Sequence, residues 1–264
     1  MSILAVALLA IAIGDLVAGG LPGTPGSFRR SLLGSIASAA VIAVGLSWAA
    51  PFESSTLWTA VHLGLASTAW LVLRVRWGVS ARRRSALDWL AVLAMAYALS
   101  AASIHGGLLT GSTATVAESP LLSVLPPLDR QAERSFLMAG LFLFLAPTGN
   151  GLVRLVLSLA GTQVGPSEQR LRGGRFIGIL ERWLIFGLAV AGEPTAAALI
   201  ASAKSLLRFP ELTSISRSTA VEVRQGKLGE IEIDTLTEYL LLGSLASWTL
   251  ALAAVPVWVA GSGG

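Results

Sequence analysis

Cysteine is absent from the chain, which excludes disulfides, thiolate metal sites and cysteine nucleophiles together. Charge is scarce too: 13% of the 264 residues are Asp, Glu, Lys or Arg, against about 25% in a typical soluble domain. The two histidines, His62 and His105, stand far apart and lack any metal-ligand spacing, so each reads as a packed or interfacial side chain and no metal is expected. Also missing are His-Glu-x-x-His, Gly-x-Ser-x-Gly, a Walker lysine and any paired acidic cluster of the kind that holds magnesium for phosphotransfer to lipids. With them go the common mechanisms of membrane catalysis. Neither a catalytic residue nor a cofactor is expected.

What remains is apolar. Hydrophobic residues make up 54% of the chain and the mean hydropathy is +0.73, a membrane composition. The net charge of +4 would suggest nucleic acid in a soluble protein, but the Lys and Arg fall between apolar runs and read as topology signals instead. The first twenty residues are apolar, no Lys or Arg precedes them, and Asp15 lies near their end. That pattern argues for a retained first span over a cleaved signal peptide.

A helix needs roughly 20 apolar residues to cross the hydrocarbon. Eight segments qualify as candidates, at about 2–20, 33–51, 55–73, 87–105, 135–161, 176–192, 195–209 and 236–259. The distribution of basic residues tests this division, because alternate loops should carry them. Segments 21–32, 74–86, 162–175 and 208–235 together hold fourteen of the nineteen Lys and Arg. The intervening loops hold only Arg130 and Arg134, and Arg154, Arg182 and Lys204 fall within spans. The expected fold is therefore all-α, a single polytopic bundle of about eight transmembrane helices over 1–264 with both termini outside. Its 28 Gly and many Ala permit close helix packing. No loop is long enough for a domain of its own. The inner stretch "VEVRQGKLGEIEI" alternates around Gln225-Gly226, which suggests a small hairpin or an amphipathic surface segment.

Ionisable groups inside a bilayer are costly, about 2.5–3.5 kcal/mol each at its centre on insertion scales, and are functional candidates by default. In "GGRFIGILERWLIF" (173–186), Glu181 and Arg182 lie six and seven residues beyond Arg175, roughly 9–10 Å deeper. The seventh span ends in Lys204 and Arg208, one turn apart, and the eighth begins with Glu238 and Tyr239. Joined consecutively, these helices can gather Arg175, Glu181, Arg182, Lys204, Arg208 and Glu238 in one layer near the inner headgroups. Either the charges pair, Glu181 with Lys204 or Arg182 and Glu238 with Arg208, or the surplus cations hold an anionic small molecule or a lipid headgroup, with Gly174 and Gly178 admitting it.

"GRFIGILER", "AAALIASAKSLLRFPEL" and "EYLLLGSLASW" resemble the carboxy-terminal half of a family of uncharacterised bacterial integral membrane proteins. That family is similar in its Gly-Arg-x-Ile-Gly-x-Leu-Glu-Arg helix, its Ala-Lys-Ser helix ending in Arg-Phe, and its Glu-Tyr-x-Leu-Ile-Gly-like final span. The likeness covers about 174–247 and maps onto Arg175, Glu181, Arg182, Lys204, Arg208, Glu238 and Tyr239. It implies a bacterial cell-membrane location and a shared helix trio, and it assigns no activity.

Two further features are candidates. "FLFLAPTGNGLVRLVL" places Pro147, Gly149, Asn150 and Gly151 inside the fifth span, with Arg154 beyond. This predicts a kink, an unwound stretch of the kind that transporters use to hold substrate, or two re-entrant halves. Asp15 and Asp88 are lone carboxylates in spans one and four, candidate proton sites if deeply buried; Asp88 alternatively marks the start of its helix, and Arg154 is a candidate partner for Asp15. A broken helix beside a cation-rich cavity favours passage of a small solute or anion, with Glu181 and Lys204 as a gating pair. A lipid-handling enzyme and a non-catalytic assembly or regulatory subunit are the alternatives.

Overall fold

The computed structural model describes residues 3–19, 28–49, 54–73, 81–110, 130–161, 174–203 and 231–262. Among the described residues every regular element is a helix, and there are eight: α1 (Ile3–Val17), α2 (Phe28–Ala49), α3 (Ser54–Leu73), α4 (Ala81–Thr110), α5 (Arg130–Leu159), α6 (Gly174–Val190), α7 (Pro194–Ala203) and α8 (Ile231–Ser262). Four contain stretches long and apolar enough to cross a membrane: Phe28–Ser47, Thr56–Leu73, Arg130–Leu159 and Leu241–Gly261. By length and composition these four are helices of the transmembrane type. Over the described residues the apolar helices α1 and α7 are shorter than a full crossing, α7 being described as far as Ala203. Positions 204–209 of the expected seventh span lie outside the described residues.

Several boundaries differ from expectation. Helix α4 begins at Ala81 and takes in Arg82, Arg83 and Arg84, because arginine is a good helix former whatever its hydropathy. Helix α8 begins at Ile231, so the last three residues of the stretch read as a hairpin or an amphipathic segment, Ile231-Glu232-Ile233, are helical, while 221–230 lie outside the described residues. The helix at Pro147 neither unwinds nor splits. It runs through a π turn at Phe144–Thr148 and re-enters α geometry at Gly149, with φ −57° and ψ −42°. Proline lacks the N–H and its ring collides with the carbonyl one turn back; one widened turn relieves both without breaking the helix.

The chain divides into two compact units, Met1–Gly151 with Val257–Gly264, and Leu152–Pro256. In the first, α1 packs against α2, α3, α4 and α5. Its buried positions run all the way round, from Ile3 through Leu8 and Ile11 to Asp15, as a central helix requires. Close approach of α1 to α2 depends on glycine: a Cβ on Gly34 would collide with the Gly14 carbonyl oxygen, and one on Gly14 would sit 3.1 Å from the Gly34 carbonyl oxygen. Gly34→Ala is expected to force the helices apart and lower stability by about 1–3 kcal/mol. Gly64→Ala, where a Cβ meets nothing within 4 Å, should be neutral or stabilising by up to about 1 kcal/mol. Unfolding of the two purified variants in detergent checks the pair. In the second unit, Gly192 (φ +84°) turns the chain between α6 and α7, and the Glu193 N–H donates to the Leu188 carbonyl at 2.9 Å, closing the C-terminus of α6.

Among the described residues large apolar side chains face outward while several polar ones are buried. Leu65 of α3, Leu199 of α7 and Leu241 of α8 are 65%, 64% and 63% exposed, while Asp15, Ser38, Thr59 and Thr148 are wholly buried. Water would penalise such a surface by roughly 25 cal/mol per Å², and lipid does not.

Candidate functional site

Among the described residues a buried polar knot is seen in each unit. In the first, α1 carries Asp15 to the centre of the helix group, where its carboxylate is 0% exposed. The indole Nε1–H of Trp70 on α3 donates to Asp15 Oδ2 at 3.0 Å, and the hydroxyl of Thr148 donates to the same oxygen at 2.6 Å. Thr148 closes the π turn of α5. One extra residue in a turn rotates everything after it by about 100°, so the widened turn decides which face Thr148 presents. An isolated carboxylate is prohibitive in an apolar interior, and donated hydrogen bonds are what make it tolerable. The knot ties together three helices distant in sequence. An indole N–H is a donor only, so Oδ2 sits among donors rather than among the lone pairs a metal would share, and no group of three or more His, Asp or Glu fit to hold a metal occurs among the described residues.

In the second unit, Glu181 and Arg182 of α6 are 5% and 2% exposed. Trp248 Nε1–H of α8 donates to Glu181 Oε1 at 2.7 Å, and Arg182 Nη1 donates to Ser247 Oγ at 3.0 Å. Two adjacent charges on one helix thus engage two adjacent polar residues on another. A Cβ on Gly178 would lie 3.8 Å from Arg182 Nη1, so the guanidinium lies back along its own helix.

Of the expected charge layer, Glu181 and Arg182 are brought together and packed. Lys204 and Arg208 lie outside the described residues, as do the side chains of Arg175, Glu238 and Tyr239, whose backbones belong to α6 and α8. Pro147, Gly149, Asn150 and Gly151 stand in continuous helix, and Arg154 is exposed on α5. Asp88 does not mark a helix start. It lies well inside α4 and is 2% exposed. His62 packs between Trp58 (6.2 Å between ring centroids) and Tyr97 of α4 (6.0 Å, edge-on), and the His105 side chain lies outside the described residues.

Sequence reasoning missed Trp70, Thr148, Ser247 and Trp248. A signal existed for the tryptophans: a buried indole N–H seeks an acceptor, and carboxylates within apolar runs are few here. No protein-family model, no curated protein and no solved structure matches the chain, so its function is read from these two knots.

Proposed function

We propose that the chain is a protein of about eight spans in the bacterial cell membrane, with both termini outside, that passes a small solute or ion across the bilayer. The observation that carries this reading is Thr148, the last residue of a π turn inside an apolar span, bound to the buried Asp15. A membrane anchor has no need of either feature. Intramembrane carboxylates mark transport pathways, and π turns are frequent at functional sites. The alternation of basic segments supports the sidedness, placing the Asp15 end of α1 inside. The anionic version of the cargo rests on Arg175, Lys204 and Arg208, because Arg182 is already engaged by Ser247.

The test is flux through purified protein in liposomes. Asp15→Asn should reduce the flux at least about tenfold, a transition-state cost of roughly 1.4 kcal/mol, while the protein remains folded. Liposomes that pass no ion or small solute would overturn the proposal. A second reading, a non-catalytic assembly or regulatory subunit, is favoured by the closed packing of Glu181 and Arg182 against α8. It gains if Glu181→Gln with Lys204→Met lowers stability and leaves flux unchanged. A lipid-handling enzyme would instead show itself by a co-purified headgroup or a lost phosphate.

A further inference from the structure

Packing contacts fix which helix ends of the first unit lie together. Helices α1 and α2 run antiparallel: Gly14 meets Gly34, while Ile3, Val6, Ala7 and Ala10 pack with Ile42 and Leu46. Helix α3 runs alongside α1, with Leu63 in that apolar cluster and Trp70 at Asp15. Helix α4 brings Ala102 to the same cluster, so its start at Ala81 lies at the opposite end, where α2 also starts and where α1 carries Asp15. The first turns of α2 and α4 therefore share one end of the unit. Helix α5 starts at the other, since its Gly140 lies beside Ala5 and Leu8 and its Thr148 reaches Asp15.

The two first turns that lie together are rich in arginine. Arg29 and Arg30 open α2 at the very beginning of the apolar span Phe28–Ser47, and Arg82, Arg83 and Arg84 open α4 just before the apolar stretch Ala86–Ala102. Arg29 and Arg30 are exposed, as are Phe28, Leu32, Leu33 and Ile36 around them. Such a surface offers its apolar part to acyl chains and lets its guanidinium groups reach the headgroup layer. The local sequence adds no opposite charge. From 16 to 52 and from 54 to 87 the chain holds no Asp or Glu, and the flanking Asp15 and Asp88 are 0% and 2% exposed. At the far end α5 opens with Arg130 and Arg134, and there Glu133 stands between the two cations in sequence.

We propose that the arginine-bearing end of the first unit is a docking surface for anionic phospholipid, with Arg29 and Arg30 engaging headgroup phosphates and the first turn of α4 adding charge to the same surface. A guanidinium matches phosphate oxygens two hydrogen bonds at a time. Each basic residue beside an anionic leaflet strengthens the attraction about fivefold, and clusters of four or more next to a spanning helix are what such lipids recognise. A zwitterionic headgroup carries the same phosphate, but its own ammonium cancels most of the attraction. The proposal goes beyond the transport reading, because it holds whether or not a solute crosses.

Purified protein in a neutral detergent is titrated with dioleoylphosphatidylglycerol and with dioleoylphosphatidylcholine, and bound lipid is counted by native mass spectrometry. The parent should hold the anionic lipid at least about tenfold more tightly than the zwitterionic one. Arg29→Gln with Arg30→Gln should cut that preference at least about threefold, and adding Arg82→Gln, Arg83→Gln and Arg84→Gln should bring it below about twofold. Arg130→Gln with Arg134→Gln, at the other end, should leave it unchanged. Equal affinity of the parent for the two lipids overturns the proposal, as does a preference that survives all five replacements. A preference lost just as fully through the pair at Arg130 and Arg134 would also overturn it, because the selectivity would then belong to the net charge of the chain and not to this surface.

Discussion

Asp15→Ala lowers the stability of the protein by roughly 2–4 kcal/mol, because it leaves two buried donors without their acceptor and each such loss costs about 1–3 kcal/mol. An average interhelical hydrogen bond in a membrane protein contributes only about 0.6 kcal/mol. The larger effect is expected because Trp70 and Thr148 converge on a single oxygen at the centre of the first unit, where neither donor has water to fall back on. Asp15→Asn keeps a carbonyl oxygen for both donors and should lose less than half as much. Thr148→Val removes one donor together with its claim on the carboxylate, and belongs between the two. Denaturant unfolding of the four proteins in one detergent gives the ranking. An alanine variant as stable as the parent would show that the carboxylate holds nothing together.

Arg182→Met should be costlier, about 3–5 kcal/mol, since removing one of two adjacent buried charges of opposite sign leaves the other without its neighbouring counter-charge. Glu181 then remains 5% exposed with the Trp248 indole as its donor on α8. The informative comparison is the double variant Glu181→Gln with Arg182→Met. If the two charges act as a clamp between α6 and α8, neutralising both costs less than removing the cation alone, because well-packed neutral side chains replace buried pairs at little cost. A double variant at least as destabilised as the sum of the singles would mean that each charge serves a different partner.

These expectations show what the sequence conveys and what it withholds. The apolar runs near 33–51, 55–73, 135–161 and 236–259 were legible because hydrocarbon demands length and hydropathy together, and they coincide with the four helices able to cross. Helix ends were less legible. Hydropathy stops at the first arginine, whereas helical hydrogen bonding continues through Arg82–Arg84. Pro147 announced a disturbance in α5, but a proline cannot say whether its helix kinks, parts or widens; that depends on whether the next turn finds a partner, and Thr148 finds Asp15. Depth along a helix was readable for Glu181 and Arg182. Their partners were not, since Ser247 and Trp248 stand about 65 residues away on another helix and nothing in local spacing links them.

The account as a whole depends on the molecule being solvated by lipid outside and by its own polar groups inside. Nitroxide labels placed singly at Leu65 and Leu245, 65% and 60% exposed, test this in reconstituted bilayers through collision rates with oxygen, which concentrates in hydrocarbon, and with a water-soluble nickel chelate. Oxygen should dominate at both positions. Collision with the nickel chelate exceeding that with oxygen at both would place these faces in water and contradict the account.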